Sequence, residues 1–334
     1  MRKTVLLGMG VCMAALIGVA HAEDKKVTIG VSIPAADHGW TSGVVFHANR
    51  VAKILMAEHP GLNIIVKTSP DAASQANAVQ DLETQGIDAL VILPSDPDPL
   101  VNAIQEVKDK GKFVAIVDRA PSTNDSTIRD LYVAGNNPAL GQTAGEYIKA
   151  NTPDAQVVVI RGLPIPIDQQ RQDGFDKGIA GSNVKVLDRQ FGNWNRDDAF
   201  KVMQDYLTKY PKIDVVWCQD DDMAVGVLQA IDQAKRTDIK YVVAGAGSKD
   251  MIKKVMDGDK LIPVDVLYPP AMVGTALELT AANFYGQVPV RGTYLVDEHH
   301  VVGPVENGLD QAEPGKGGRH EAGRLDDLAL GVSG

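Results

Sequence analysis

The sequence predicts an α/β protein built from two similar Rossmann-like lobes, each a parallel sheet covered by helices. Two observations carry this. Short runs rich in Val and Ile recur without polar alternation, as strands buried on both faces do. Segments of helical period lie between them, so the chain reads as strand–helix–strand units. The pattern occurs twice, over 26–135 and again over 156–269, and no Pro/Gly/Ser-rich linker separates the two blocks.

In order, the strand candidates of the first block are KVTIGVSIP (26–34), NIIVKTS (63–69), DALVILPS (88–95), FVAIVDR (113–119) and DLYVAG (130–135). Those of the second are QVVVIRG (156–162), KVLDRQF (185–191), DVVWCQD (214–220), KYVVAGA (240–246) and IPVDVLYP (262–269). Helices are expected over 42–57, 74–85, 99–110, 139–150, 169–180, 196–210 and 223–234. Residues 304–334 are rich in Gly and charge and hold no aromatic residue, the composition of a poorly ordered tail, with a short helix expected around Glu321–Leu330.

The first 22 residues have the layout of a cleaved secretory signal peptide. Arg2 and Lys3 precede an apolar run from Val5 to Val19, and Ala20-His21-Ala22 is a small-x-small cleavage site. Cleavage there leaves 334 − 22 = 312 residues and moves the formal charge from −10 to −12, because two basic residues and no acid leave. A chain of that length suits two domains. Its acidic balance argues against nucleic acid or an anionic membrane surface as a partner. Cys218 is then the one remaining cysteine, so no internal disulfide is expected and burial of that thiol is. Nothing in the sequence demands more than a monomer.

Ligands of open parallel sheets sit beyond the carboxyl ends of the strands, and the residues there share a chemistry. Asp37, His38 and Trp40 follow the first run, and Asp96 and Asp98 follow the third. Asp118 and Arg119 end the fourth; Arg171, Trp194, Asp220 and Tyr268 hold the matching places in the second block. Trp40 and Trp194 are two of three tryptophans, and both are expected in loops beside polar residues. Flat aromatic faces with carboxylates and guanidinium groups suit a sugar, whose C–H faces stack while its hydroxyls donate and accept. A plainer reading stands beside each: a loop Trp as a plug over the core, Asp118 as a turn residue, Arg171 as a solvated helix charge. Asp222 is expected to cap the helix beginning near Met223, and Asp96 and Asp98 the helix after Pro99.

Other chemistries find little here. Gly245-Ala246-Gly247 lacks the spacing of a dinucleotide loop and no GKS or GKT phosphate loop occurs, so no cofactor is expected. His299-His300 lacks H-E-x-x-H spacing, and the aspartates do not fit a calcium loop, so no metal is expected. No G-x-S-x-G elbow occurs.

Over about residues 26–302 the chain resembles the periplasmic substrate-binding proteins of sugar ABC transporters, of the ribose-binding type. VDRAP (117–121), QQRQDGF (169–175), CQDDDMAVGVLQAI (218–231) and DAASQANAVQDLETQGIDALVILPSDPDPL (71–100) carry the resemblance. It implies two α/β lobes joined by a three-segment hinge, with the ligand in the cleft between them. The implied division is 26–135 plus 268–295 for the N-terminal lobe and 136–267 plus 296–303 for the C-terminal lobe. The hinge is implied near Gly135, Tyr268 and Asp297.

The resemblance also implies roles. Trp40 and Trp194 match the aromatic residues that stack on the sugar, and His38 a polar contact beside the first. Asp118 and Arg119 match an Asp-Arg pair that binds hydroxyls, Arg171 the arginine of an R-x-x-G-F pattern, and Asp220 a position held by Asn or Asp. Tyr268 falls near the second hinge segment, where the ribose binders have glutamine. One departure stands out: Ala246 occupies the place of an aspartate that binds hydroxyls. That argues against ribose and for a hexose or an acyclic polyol. The implied function is non-enzymatic: capture of a monosaccharide or sugar alcohol in the periplasm and delivery to a membrane permease. The alternative is a sensor feeding a chemoreceptor or a sensor kinase. A repressor effector domain of this architecture would carry a basic helix-turn-helix where the signal peptide stands.

Overall fold

The computed structural model describes residues 25–123, 126–286 and 289–296 and the backbone of 301–302. The stretch 1–22 expected to be a signal peptide, Asp297, His299-His300 and the expected tail at 304–334 lie outside the described residues.

The first block folds as β1 (Val27–Pro34), α1 (Gly39–Glu58), β2 (Leu62–Ser69), α2 (Ala72–Thr84), β3 (Ala89–Ile92), α3 (Val101–Asp109), β4 (Phe113–Val117) and β5 (Leu131–Gly135). The second runs α4 (Asn137–Asn151), β6 (Gln156–Arg161), α5 (Pro166–Ile179), β7 (Lys185–Phe191), α6 (Arg196–Lys209), β8 (Val215–Cys218), α7 (Asp221–Ala234), β9 (Tyr241–Ala246), α8 (Lys249–Met256) and β10 (Val264–Leu267). Then come α9 (Met272–Tyr285), β11 (Gly292–Val296) and β12 (Val301–Val302). The ten strand candidates and seven helix candidates all appear, most within a few residues of their expected ends. The helices α8 and α9 and the strands β11 and β12 add to the expected set.

Two six-stranded sheets form, ordered β11-β5-β4-β3-β1-β2 and β12-β10-β9-β8-β6-β7. The two orders match position for position, which is the structural counterpart of the repeated sequence pattern. Every pairing is parallel except the short antiparallel β10–β12 pair. Central strands such as β3, β4 and β8 are buried throughout, whereas the edge strand β7 is only half-buried. That difference is why the central runs read as unbroken Val/Ile stretches.

The chain passes between the sheets at three places: from β5 into α4, from β10 into α9, and between β11 and β12. The first two run over Asn136 and over 268–271; the third crosses residues outside the described set.

Close backbone approach fixes the helix layer behind the site. A Cβ on Gly141 of α4 would sit 1.8 Å from the Arg171 carbonyl oxygen, and one on Gly174 of α5 would sit 1.9 Å from that of Pro138. Only glycine permits that contact, and it sets the position of the α5 turn that carries Arg171. Behind it, Phe175 stacks on Trp217 at 4.2 Å between ring centres, which places Trp217 in the core. Cys218 is fully buried and unpaired, and burial pushes its thiol pKa up.

Candidate functional site

Each candidate residue sits just beyond the carboxyl end of a strand or in the helix that follows it. The loop after β1 delivers Asp37 and His38 to the start of α1. The Thr41 hydroxyl donates to Asp37 Oδ1 at 2.7 Å and accepts from the backbone N–H of Asp37 and His38. His38 Nδ1 lies 2.7 Å from the same Asp37 oxygen, and that bond, with the Thr41 bond behind it, lowers the Asp37 pKa to about 2. Trp40 is not in a loop: it is the second residue of α1, buried, with its indole N–H donating to the Tyr268 carbonyl at 2.8 Å. The helix begins earlier than expected because this polar knot replaces a single capping side chain.

Beyond β4, Asp118 adopts φ 61°, a left-handed conformation that Asp tolerates. This turn aims its carboxylate inward, where Oδ1 accepts the Tyr268 hydroxyl at 2.5 Å. Arg119 lies beside it, 3.6 Å from Nε to Asp118 Oδ2, and donates to the Ser95 carbonyl at 2.8 Å. Burial lowers the Arg119 pKa and the Asp118 charge opposes that shift. Asp98 does not cap a helix. It accepts from the Ser122 backbone at 2.7 Å and from its hydroxyl at 2.6 Å, tying the loop after β3 to the loop after β4.

From the second sheet, Arg171 reaches inward out of α5. Its Nε donates to Asn137 Oδ1 at 2.7 Å, and its guanidinium lies 4.6 Å above the Tyr268 ring. Asn137 in turn donates to the Tyr268 oxygen at 2.9 Å. Trp194 follows β7 at φ 51° and stands 4.9 Å from the Arg119 guanidinium. A Cβ on Gly162 would sit 2.1 Å from the indole, so glycine there makes room for the ring.

The three consecutive aspartates before Met223 part company. Asp220, not Asp222, caps α7, accepting from the Asp222 N–H at 2.8 Å and the Met223 N–H at 3.3 Å. Burial raises its pKa to about 6. Asp221 turns toward the β9–α8 loop and accepts from the Gly245 N–H at 3.0 Å and the Ser248 N–H at 2.5 Å. Asp222 points across to the N-terminus of α1.

All eight candidates, His38, Trp40, Asp118, Arg119, Arg171, Trp194, Asp220 and Tyr268, border one cavity. Ile167, Gln219 and Ala246 complete its wall. A wider cleft of about 370 Å3 adjoins it, sharing His38, Arg119 and Trp194. Gln219 was missed because its segment reads as strand through Asp220, whereas β8 ends at Cys218. It is 1% exposed, and neither polar atom of its side chain has a hydrogen-bond partner among the described residues. Among the described residues the buried Trp194 indole N–H likewise has no hydrogen-bond partner, and Arg119 Nε has none beyond its ion pair with Asp118. Ala246 stands in the wall at φ 111°, a region unfavourable to any residue but glycine.

The site thus presents aromatic faces, cationic donors, carboxylate acceptors and an amide to one small space, which suits a compact ligand bearing several hydroxyls. Among the described residues no group of three His, Cys, Asp or Glu side chains is placed to hold a metal ion.

Comparisons with known proteins agree with this architecture. Residues 29–283 match the family model described as a periplasmic binding protein domain. The chain is 29% identical over 300 residues to the ribose import binding protein RbsB of Salmonella typhimurium, covering 89% of this chain and 97% of that one. It is 32% identical over 197 residues to a xylitol-binding protein of Mycolicibacterium smegmatis, covering 57% of this chain and 54% of that one. The structure superposes with a TM-score of 0.74 on the periplasmic binding protein component of the arabinose ABC transporter of Shewanella sp. ANA-3. That pair is 23% identical over 82% of this chain and 91% of the other, and it shows the shared fold. Two parallel-sheet lobes in matching strand order, a polar–aromatic cavity at their carboxyl edges and the family match over 29–283 place the chain in the periplasmic binding protein family, among the sugar-binding proteins of ABC importers.

Proposed function

We propose that this protein captures a monosaccharide or sugar alcohol in the periplasm and hands it to the membrane permease of an ABC importer, without chemical conversion. The cavity carries the reading. Trp40 and Trp194 supply apolar faces for the C–H groups of a cyclic or open sugar, Arg119 and Arg171 donate to hydroxyl oxygens, and Asp118 and Asp220 accept hydroxyl protons. Ala246 brings no acceptor of its own, and the free Gln219 amide, which both donates and accepts, stands in the same wall. The ligand class is accordingly a hexose or an acyclic polyol rather than ribose, and the xylitol relative supports the second form.

In this reading 1–22 is a signal peptide removed on export, the mature protein is a monomer, and the three passages between sheets act as the hinge. The sensor alternative is not favoured by the relatives, whose names are those of import binding proteins.

A thermal-shift screen of residues 23–334 against pentoses, hexoses, inositols and sugar alcohols tests it. A ligand that binds the folded state raises Tm, by an amount that grows with the logarithm of its concentration relative to Kd. One class raising Tm by several degrees names the ligand. A flat response from protein that has first been unfolded and refolded free of copurified ligand refutes the sugar reading.

A further inference from the structure

We infer that Asp222 is a closing latch: a carboxylate from the second lobe that caps helix α1 of the first and holds the cleft shut from outside the cavity. This goes beyond the ligand reading, since Asp222 is not part of the cavity wall.

The first helical N–H of α1 belongs to Gly39, and no partner inside its own helix can take it. Asp222 Oδ2 accepts it from across the cleft. The acceptor is well chosen, because a helix N-terminus carries a partial positive charge that favours a carboxylate, and α1 is 20 residues long. The other oxygen, Oδ1, accepts from Arg196 at the start of α6 at 2.7 Å, which fixes the carboxylate in direction. Gly39 leaves no slack: a Cβ there would stand 2.8 Å from Asp222 Oδ2.

The lobe assignment of the two partners is clear. The helix α1 packs on β1, β2 and α9 of the first sheet, and α7 packs on β8 and β9 of the second. The bond therefore exists only while the lobes are together. A contact made only in the closed state shifts the open–closed equilibrium by its own free energy. Ligand affinity then rises with the closed fraction, so Asp222 sets affinity without touching ligand.

The test uses no ligand, so its outcome is independent of whether the cavity takes a sugar. Spin labels on Asp81→Cys in α2 and Asp205→Cys in α6, both exposed, report the distance between lobes, and buried Cys218 stays unlabelled. The ligand-free parent is expected to show a closed population, and Asp222→Ala to lower the closed-to-open ratio about tenfold, the scale of one charge-assisted hydrogen bond. Gly39→Ala, which obstructs the same bond from the other lobe, is expected to do likewise. Arg196→Ala, half-exposed and therefore safe for folding, is expected to shift it less. Asp232→Ala on the same helix, exposed and among the described residues paired only with Lys235, is expected to leave it unchanged. A parent that is wholly open, or Gly39→Ala and Arg196→Ala distributions that superimpose on the parent, overturn the latch even if Asp222→Ala fails to fold.

Discussion

The Tyr268 hydroxyl donates to Asp118 Oδ1 at 2.5 Å, across 150 residues of sequence, and receives the Asn137 amide at 2.9 Å on the same oxygen. Tyr268 opens the passage from β10 to α9, Asn137 follows the passage from β5 to α4, and Asp118 ends a first-sheet strand. One phenol thus joins two of the passages between lobes to the cavity floor. Its ring also carries the Arg171 guanidinium, so the cavity and the passage from β10 to α9 share a part.

Tyr268→Phe keeps the ring and removes the hydroxyl. Asp118 and Asn137 then each lose a buried partner, and the expected loss is about 1–3 kcal/mol of unfolding free energy. Urea unfolding of the two proteins measures it; equal midpoints and slopes mean that water replaces the hydroxyl at no cost.

If ligand occupies the cavity as proposed, Asp220 is expected to make its binding depend on pH. Burial raises its pKa to about 6, and an ionised carboxylate accepts hydroxyl protons better than a protonated one. Affinity for the sugar found in the screen is expected to rise from pH 5 to pH 7, by up to about tenfold per unit below the pKa if binding needs the ionised form. Calorimetric titration at several pH values reads this. Asp220→Asn should flatten the profile, and an unchanged profile removes Asp220 from the contact set.

Asp265 and Asp221 govern stability in the opposite sense from ordinary carboxylates. Asp265 is fully buried in β10, where burial raises its pKa to about 7, and the neighbouring Asp221 is pushed well up by burial and by Asp265. Between pH 4 and pH 7 the unfolded chain has released protons that the folded state still holds, so stability falls as pH rises through that window. Asp37 and Asp238, both lowered to about 2, act the other way and lose their contribution only below pH 4. The melting temperature is therefore expected to decline from pH 5 to pH 8. Asp265→Asn, which mimics the protonated form, should reduce that decline; an identical slope refutes the assignment.

Trp194 is expected to serve two purposes at once. It is 6% exposed, packs within the core beneath α6 and α7, and also faces the cavity. Trp194→Ala should abolish tight binding and also cost about 3 kcal/mol of stability, whereas Trp194→Phe should recover most of the stability. Weakened binding at unchanged stability would mean that the ring rests on ligand alone.

Much of this architecture is readable without coordinates because its signals are local. A strand buried on both faces tends to be apolar along its length, so β3, β4 and β8 stand out, and the carboxyl ends of the strands indicate which loops to inspect. The features that sequence misreads depend on direction rather than composition. Asp220 and Asp222 are chemically identical neighbours near the start of one helix; which one caps that helix and which reaches another lobe depends on where α1 lies. Asp98 has the place of a cap and instead holds Ser122, because the two loops meet only in three dimensions. Trp40 has the surroundings of a loop residue because its helix starts from a knot of Asp37, His38 and Thr41.

By itself the sequence determined the repeated α/β pattern, the succession of strands along the chain, and the chemical kinds of residue at the strand ends, since each follows from periodicity and side-chain type. Only the tertiary structure decided which of those residues share one space: that Gln219 lies bare in the cavity wall, that Tyr268 binds Asp118, and that Asp222 spans the cleft. Those are contacts between segments far apart in sequence, or orientations at the end of a strand. They arise when two sheets and three passages fix the relative position of the lobes, which no local pattern encodes.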